Sequence, residues 1–162
     1  MTGLFAGTGL FSGTGLLEGT AFIKAGVLLM WALWMTLVTV YNLLDALKAL
    51  RLLPDTLLSS SNFALLVSTT RAHRTPLWFV WLLFWGVIVW EALASGLLWA
   101  AVFGGGLALA SAALGVSLLL WGGFILANQF FMTWLSEPGA VTAHRSLFNM
   151  TGVSLLLLYL LP

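Results

Sequence analysis

Glu91 is the residue of this sequence whose type and position most clearly suggest chemistry. It is the single charged side chain in the apolar stretch from Pro76 to Phe103, and it lies near the middle of that stretch. An ionised carboxylate at the centre of a bilayer is expensive, so such a residue is a functional candidate by default. It could relay a proton, bind a cation, or hydrogen-bond a quinone or pigment carbonyl. The alternative is a structural hydrogen bond between helices, and Ser95, one turn away, is a local candidate partner.

A second set of polar residues lies where the apolar stretches end. We expect these residues to gather at one end of the molecule, the cytoplasmic end in the topology predicted below. A lipid headgroup, a quinone ring or a partner loop could dock on them, or they are polar simply because helix ends meet water. The set comprises Asn42, Asp45, Arg71, His73, Asn128, Gln129, His144, Arg145 and Asn149.

Several classes of chemistry lack the residues they need. The chain has no cysteine, which excludes thiolate metal sites, iron–sulfur clusters and cysteine nucleophiles. His73 and His144 are the only histidines and lie at the edges of apolar stretches, which disfavours a buried haem or a metal site. No hydrolase triad order, phosphate-binding loop or HExxH motif is present. We therefore predict that the protein is not an enzyme and that the chain alone binds no cofactor or metal; contact with lipid, quinone or pigment within a complex stays open.

The composition identifies the elements that must position Glu91. Hydrophobic residues make up 61% of the chain and charged residues 7%, with a net charge of +1. These values exclude a soluble globular domain and a nucleic-acid-binding protein, and they predict an integral membrane protein. A spanning helix needs about 20 apolar residues. We predict an all-α, antiparallel bundle of four transmembrane helices within a domain of residues 22–162, with spans at about 22–44, 76–103, 105–127 and 143–161.

The cations predict how the bundle is oriented. Five of the six are in the two connections 45–75 and 136–145, and Lys24 is near the opposite end. Because cytoplasmic loops are enriched in Lys and Arg, these connections should be cytoplasmic and both termini should lie on the other side. The expected location is the bacterial inner membrane.

Residues 1–21 form a predicted Gly-rich arm built from three six-residue copies in tandem, which begin at Thr2, Thr8 and Thr14. One interpretation is a low-complexity tail. The other is an extended arm that lies on a neighbouring subunit, where its apolar side chains would be held. Those side chains are Leu4, Phe5, Leu10, Phe11 and Leu16.

Small residues four positions apart predict close helix packing. Such rows let two helices in a membrane approach backbone to backbone. The second predicted span carries Ala92, Gly96 and Ala100, and the third carries two pairs, Ala108 with Ala112 and Ser111 with Gly115. Glu91 points away from the first row, so we expect it to face the first or the fourth helix.

Short motifs give the chain a resemblance to a known family. They are Asn42-x-x-Asp45 at the end of the first span, Trp90-Glu91-Ala92-Leu93 in the second, and Phe130-Phe131-Met132-x-Trp134 after the third. Together with a short last span that ends near Leu161, they resemble the predicted small integral membrane proteins of the DUF2165 family over about residues 22–162. The resemblance implies a four-span fold and no assigned activity.

Two functions fit this sequence. The first is a non-catalytic structural or accessory subunit of a larger membrane complex, either respiratory or photosynthetic, in contact with lipids and other membrane subunits. The second is a small oligomeric carrier or proton-coupled transporter that uses Glu91. A quinone-reactive subunit is less well supported, because the bundle core offers few polar groups.

Overall fold

The structure is a computed structural model that describes residues 13–54, 56–57 and 61–161. All regular secondary structure in these ranges is helical. The helices are α1 (Gly13–Ala49), α2 (Asn62–Arg71), α3 (Leu77–Val102), α4 (Gly106–Phe130), α5 (Thr133–Ser136) and α6 (Pro138–Leu160).

The four long helices pack in antiparallel pairs. Helix α1 packs against α3, α3 against α4, and α4 against α6, while α2 lies against α1 and α3. Aromatic and aliphatic side chains of all four long helices fill the space between them. The buried core comprises Leu28, Trp31, Ala32 and Met35 of α1, Ala94, Leu98 and Ala101 of α3, Ala110, Ala113, Leu114, Leu120 and Trp121 of α4, and Leu158 of α6.

A short turn joins α3 to α4 and makes the two helices antiparallel. Gly104 (φ 114°) and Gly106 (φ 69°) reverse the chain between α3 and α4 with backbone angles that residues with a Cβ rarely adopt. Pro138 occupies the first turn of α6, where its missing N–H costs little. The predicted break between the second and third spans thus produces a tight α3–α4 hairpin.

Among the described residues, three helices are long and apolar enough to cross a membrane: Gly19–Ala49 within α1, and the whole of α3 and α4. Helix α6 has a comparable length of 23 residues. Its first half carries His144, Arg145 and Asn149, which lower its apolarity. The structure therefore supports three of the four predicted spans on length and composition.

Helix α1 begins at Gly13, within the residues assigned to the N-terminal arm. The last copy of the repeat is thus helical, with Leu16 on α1. Leu4, Phe5, Leu10 and Phe11 lie outside the described residues. Helix α2 lies in the connection 45–75, outside the four predicted spans.

The predicted packing rows are wrong for contacts within this chain. Ala92, Gly96 and Ala100 are exposed on α3, as are Ala108 and Ala112 on α4. A Cβ added at Gly96 or at the half-buried Gly115 would meet nothing within 4 Å. The small and apolar residues that α3 and α4 bury in the core are others, namely Ala94, Leu98, Ala101, Ala110, Ala113 and Leu114. Spacing alone identified rows of small residues, but it could not identify which face of each helix met its neighbour.

Two adjacent alanines of α4 test this assignment. Ala113 is fully buried and Ala112 is exposed. We expect Ala113→Leu to lower the free energy of unfolding by about 1–3 kcal/mol, because the closed seam has no room for the larger side chain. The matched variant Ala112→Leu should change it by less than about 0.5 kcal/mol. Thermal unfolding in detergent measures both, and equal losses would contradict the assigned seam.

Candidate functional site

Glu91 is buried between α1 and α3, with 1% of its surface exposed. Both of its carboxylate oxygens accept a hydrogen bond from Asn42 Nδ2, at 2.9 Å each. Asn42 is also buried, on the face of α1 that carries Trp31 and Met35. The sequence analysis expected Glu91 to face the first or the fourth helix, and the structure places it against the first.

A second amide side chain extends this hydrogen-bonded contact toward the surface. Asn62, the first residue of α2, donates from Nδ2 to Asn42 Oδ1 at 2.7 Å. Asn62 is exposed, whereas Asn42 and Glu91 are not. We call these three residues the Glu91–Asn42–Asn62 chain. It connects a buried carboxylate in the middle of α3 to the exposed start of α2.

The start of α2 is held in place by Asp45. The backbone N–H of Phe63 donates to Asp45 Oδ2 at 2.7 Å, which satisfies one of the unpaired N–H groups at a helix start. Lys48 Nζ lies 3.1 Å from Asp45 Oδ1, so this buried carboxylate has a cation partner. The Phe63 ring stacks on Trp81 of α3 with centroids 4.0 Å apart. These contacts fix Asn62 beside Asn42.

The two buried carboxylates have different surroundings. Asp45 has Lys48, whereas no ion pair to Glu91 occurs within the described residues. Glu91 is held instead by neutral amide donors, which stabilise a charge less than a cation does and leave it able to accept a proton. An amide does not readily lose its own proton. Asn42 therefore orients Glu91, and the Glu91–Asn42–Asn62 chain connects the buried carboxylate by hydrogen bonds to an exposed residue.

Ser95 belongs to a separate contact, which corrects its predicted role as a partner of Glu91. Its Oγ lies 2.8 Å from Thr36 Oγ1 of α1. Thr36 already donates to the carbonyl of Ala32 and accepts from Trp99 Nε1 at 2.9 Å, so Ser95 is the donor. Sequence reasoning missed Thr36 and Trp99, because neither differs from other threonines and tryptophans of the spans until the helix register is known.

The predicted cytoplasmic-end cluster is divided among different neighbours. Asn42 and Asp45 join α2, as described above. Asn128 Nδ2 lies 2.9 Å from His144 Nδ1, and the His144 ring stacks on Phe124 with centroids 4.6 Å apart.

The other members of this set are exposed. His73 lies between the rings of Phe130 and Phe131, with centroids 5.5 and 5.3 Å away. Arg71, Gln129, Arg145 and Asn149 make no side-chain hydrogen bond within the described ranges. The set therefore lies at one end of the bundle but is divided among several neighbours, and its role as a docking site stays a prediction.

Among the described residues, no group of three His, Asp or Glu side chains is placed to hold a metal ion. The buried site presents one carboxylate with one amide partner, an arrangement that can bind and release a proton.

Comparison with known proteins identifies one family. The model of a family described as "Predicted small integral membrane protein (DUF2165)" matches residues 20–161. This match confirms the resemblance inferred from the short motifs. No curated protein and no solved structure matches the chain.

A double-mutant cycle on Asn42 and Glu91 tests the buried contact. We expect Asn42→Leu and Glu91→Leu to show a coupling energy of about 2 kcal/mol in unfolding experiments, because hydrogen bonds to a charged group contribute about 1.5–3 kcal/mol. The matched control is the neutral pair Thr36→Val and Ser95→Ala, for which polar contacts in membranes predict about 0.6 kcal/mol. Equal coupling in the two cycles would contradict a charged acceptor at Glu91.

Proposed function

We propose that the chain, which belongs to the DUF2165 family of predicted small integral membrane proteins, is a small proton-coupled carrier that works as an oligomer around Glu91. The observation that carries this proposal is the Glu91–Asn42–Asn62 chain. A carboxylate with 1% exposure is linked through two amides to an exposed residue at one end of the bundle. A hydrogen bond that served only to join α1 and α3 would not need this connection to the surface.

The proposed cycle has two states of Glu91. In the ionised state both oxygens accept the Asn42 amide, which offsets part of the cost of removing the charge from water. Protonation turns one oxygen into a donor, and the Asn42 amide then loses an acceptor. The proton enters and leaves by water that follows Asn42 and Asn62. The carried substrate binds between chains, because a single bundle has too few helices for the inverted-repeat transporter folds.

We also propose that α6 is a fourth span. Its 23 residues give a length of about 34 Å, enough for a hydrocarbon core of about 30 Å. It packs antiparallel to α4, as Asn128 meets His144 near one end and Leu118 lies 3.9 Å from a Cβ built on Gly152 further along. Trp31 of α1 donates to Ser154 at 2.9 Å, so α6 also contacts the first span.

The cations support one orientation of this four-span bundle. Lys48, Arg51, Arg71 and Arg74 follow α1 or precede α3, and Arg145 is near the start of α6. All of these positions lie at the same end. That end is cytoplasmic by the distribution of Lys and Arg, which puts both termini on the other side of a bacterial inner membrane.

An accessory subunit of a respiratory or photosynthetic complex is the second candidate. The observation that favours it is the exposed row Ala92, Gly96 and Ala100, where a Cβ built on Gly96 meets no atom within 4 Å. Small residues on an open face allow a helix of another subunit to approach closely. In that role Glu91 would act only as a structural bond.

Glu91→Gln tests the proton-binding role. We expect the variant to fold and to lose proton flux in proteoliposomes, down to the level of protein-free liposomes, because an amide cannot take up a proton. The infrared band of a protonated carboxyl group that appears on acidification should also lose its Glu91 component. Glu137→Gln is the matched control, since Glu137 lies at the start of α6, outside the Glu91–Asn42–Asn62 chain.

A proton flux in Glu91→Gln equal to that of the wild type would contradict the proposal that the protein is a carrier. If flux in Glu91→Gln equals that of the wild type and larger subunits co-purify in stoichiometric amounts in mild detergent, the accessory role is favoured.

The absence of cysteine makes the fourth span easy to test. Single cysteines at Ser136, before α6, and at Leu161, after it, should react with a membrane-impermeant maleimide from opposite sides of the membrane. A third cysteine at Ser61, before α2, should label from the same side as Ser136. Labelling of Ser136→Cys and Leu161→Cys from one side would show that α6 does not cross.

A further inference from the structure

An open groove of about 350 Å³ lies between the end of α4 and the first two turns of α6. Pro138, Val141, Thr142 and Arg145 line it from α6, and Gln129 lines it from α4. The four α6 residues are spaced so that they share one face of the helix. The groove is thus a feature of the α4–α6 contact, and it shares no residue with the Glu91–Asn42–Asn62 chain.

The groove offers hydrogen-bond donors and a positive charge. Arg145 and Gln129 are exposed, and neither makes a side-chain hydrogen bond or an ion pair within the described ranges. The guanidinium has five N–H donors and no acceptor. Thr142 Oγ1 already donates to the carbonyl of Pro138 at 3.0 Å, so it can only accept. No acidic side chain lines the groove, although Glu137 precedes it in the chain.

The backbone at the start of α6 is not the source of the donors. The N–H groups of Ala140 and Val141 both donate to the carbonyl of Glu137, at 3.1 and 3.4 Å. The binding capacity of the groove therefore comes from the side chains of Arg145 and Gln129.

Large apolar side chains are exposed on α4 and α5 toward the same end of the bundle as the groove. Leu126, Phe130 and Leu135 expose 72%, 68% and 66% of their surfaces on α4 and α5. Helical side chains point toward the start of their own helix, so Arg145 extends toward the end of the bundle where α4 stops. A cation on a long stem beside exposed apolar residues at a span end is the arrangement that meets lipid headgroups.

We infer that this groove binds the phosphate of an anionic phospholipid, with Arg145 as its bidentate partner and the Gln129 amide as a second donor. The volume lies at the lower end of the range for small-molecule sites, so it holds a phosphate and its glycerol but not a whole lipid. The acyl chains lie along the exposed apolar side chains of α4. An anionic headgroup is favoured over a zwitterionic one because no carboxylate in the groove would meet a choline or ammonium group.

Lipid binding to the purified full-length chain tests this inference. Native mass spectrometry in detergent compares phosphatidylglycerol with phosphatidylcholine as added lipids. We expect the wild type to retain phosphatidylglycerol preferentially, and Arg145→Gln to lower its affinity roughly tenfold or more, because a bidentate charged contact is lost. The matched control is Arg71→Gln, which removes an exposed arginine at the same end of the bundle but outside the groove.

Two further measurements separate the alternatives. Arg145→Lys keeps the charge without the bidentate geometry and should give an intermediate loss, and Gln129→Ala provides a second variant if Arg145→Gln fails to fold. Inorganic phosphate should neither displace phosphatidylglycerol nor stabilise the protein. Equal losses in Arg145→Gln and Arg71→Gln, equal retention of the two lipids, or displacement by inorganic phosphate would each overturn the proposal.

Discussion

The burial of one carboxylate in the middle of α3 constrains the rest of this bundle. Glu91 needs donors for both oxygens, and the Asn42 amide supplies them from α1. This contact fixes the position of α1 along α3, since a shift of one turn would move the amide about 5 Å away. Neighbouring contacts agree with the same register, because Thr36 then meets Ser95 and Trp99. Polar contacts thus specify how two largely apolar helices align, which uniform apolar packing in lipid would not do.

The contact between Glu91 and Asn42 also helps to position α2 and connects this helix to the protonation state of Glu91. Asn62 donates to the oxygen of Asn42, while the nitrogen of that amide is engaged by Glu91. Under the proposed function, a proton on Glu91 removes one acceptor, and Asn42 must either lose a hydrogen bond or rotate its amide. A rotated amide would present its nitrogen to Asn62, and that contact would be lost. Asp45 would still hold Phe63, so α2 would loosen at its first residue without detaching.

The sequence predicted the features that depend on composition. It did not predict contacts that depend on how the helices pack side by side. Apolar length identified the three helices that are long and apolar enough to cross a membrane, and Glu91 was recognisable as a lone charge within one of them. Asn42 belonged to a predicted polar set, but its role as the partner of Glu91 depends on the register between α1 and α3. The rows containing Gly96 and Ala112 had the right spacing for packing, yet they face outward, because Ala94 and Ala113 occupy the seam. Asn62 was missed because α2 is only ten residues long, and its first residue meets Asn42 only once α2 has packed against α1.

The low hydropathy of α6 is a second case in which composition must be considered together with the arrangement of the helices. Two of the residues that lower it have specific surroundings in the structure. His144 pairs with Asn128 and stacks on Phe124, and Arg145 lines the groove beside Gln129. A polar group that has a partner costs far less to place in a membrane than an isolated one. Under the proposed fourth span, His144 is such a partnered group, so the packing of α6 against α4 would offset part of the cost of its polar first half.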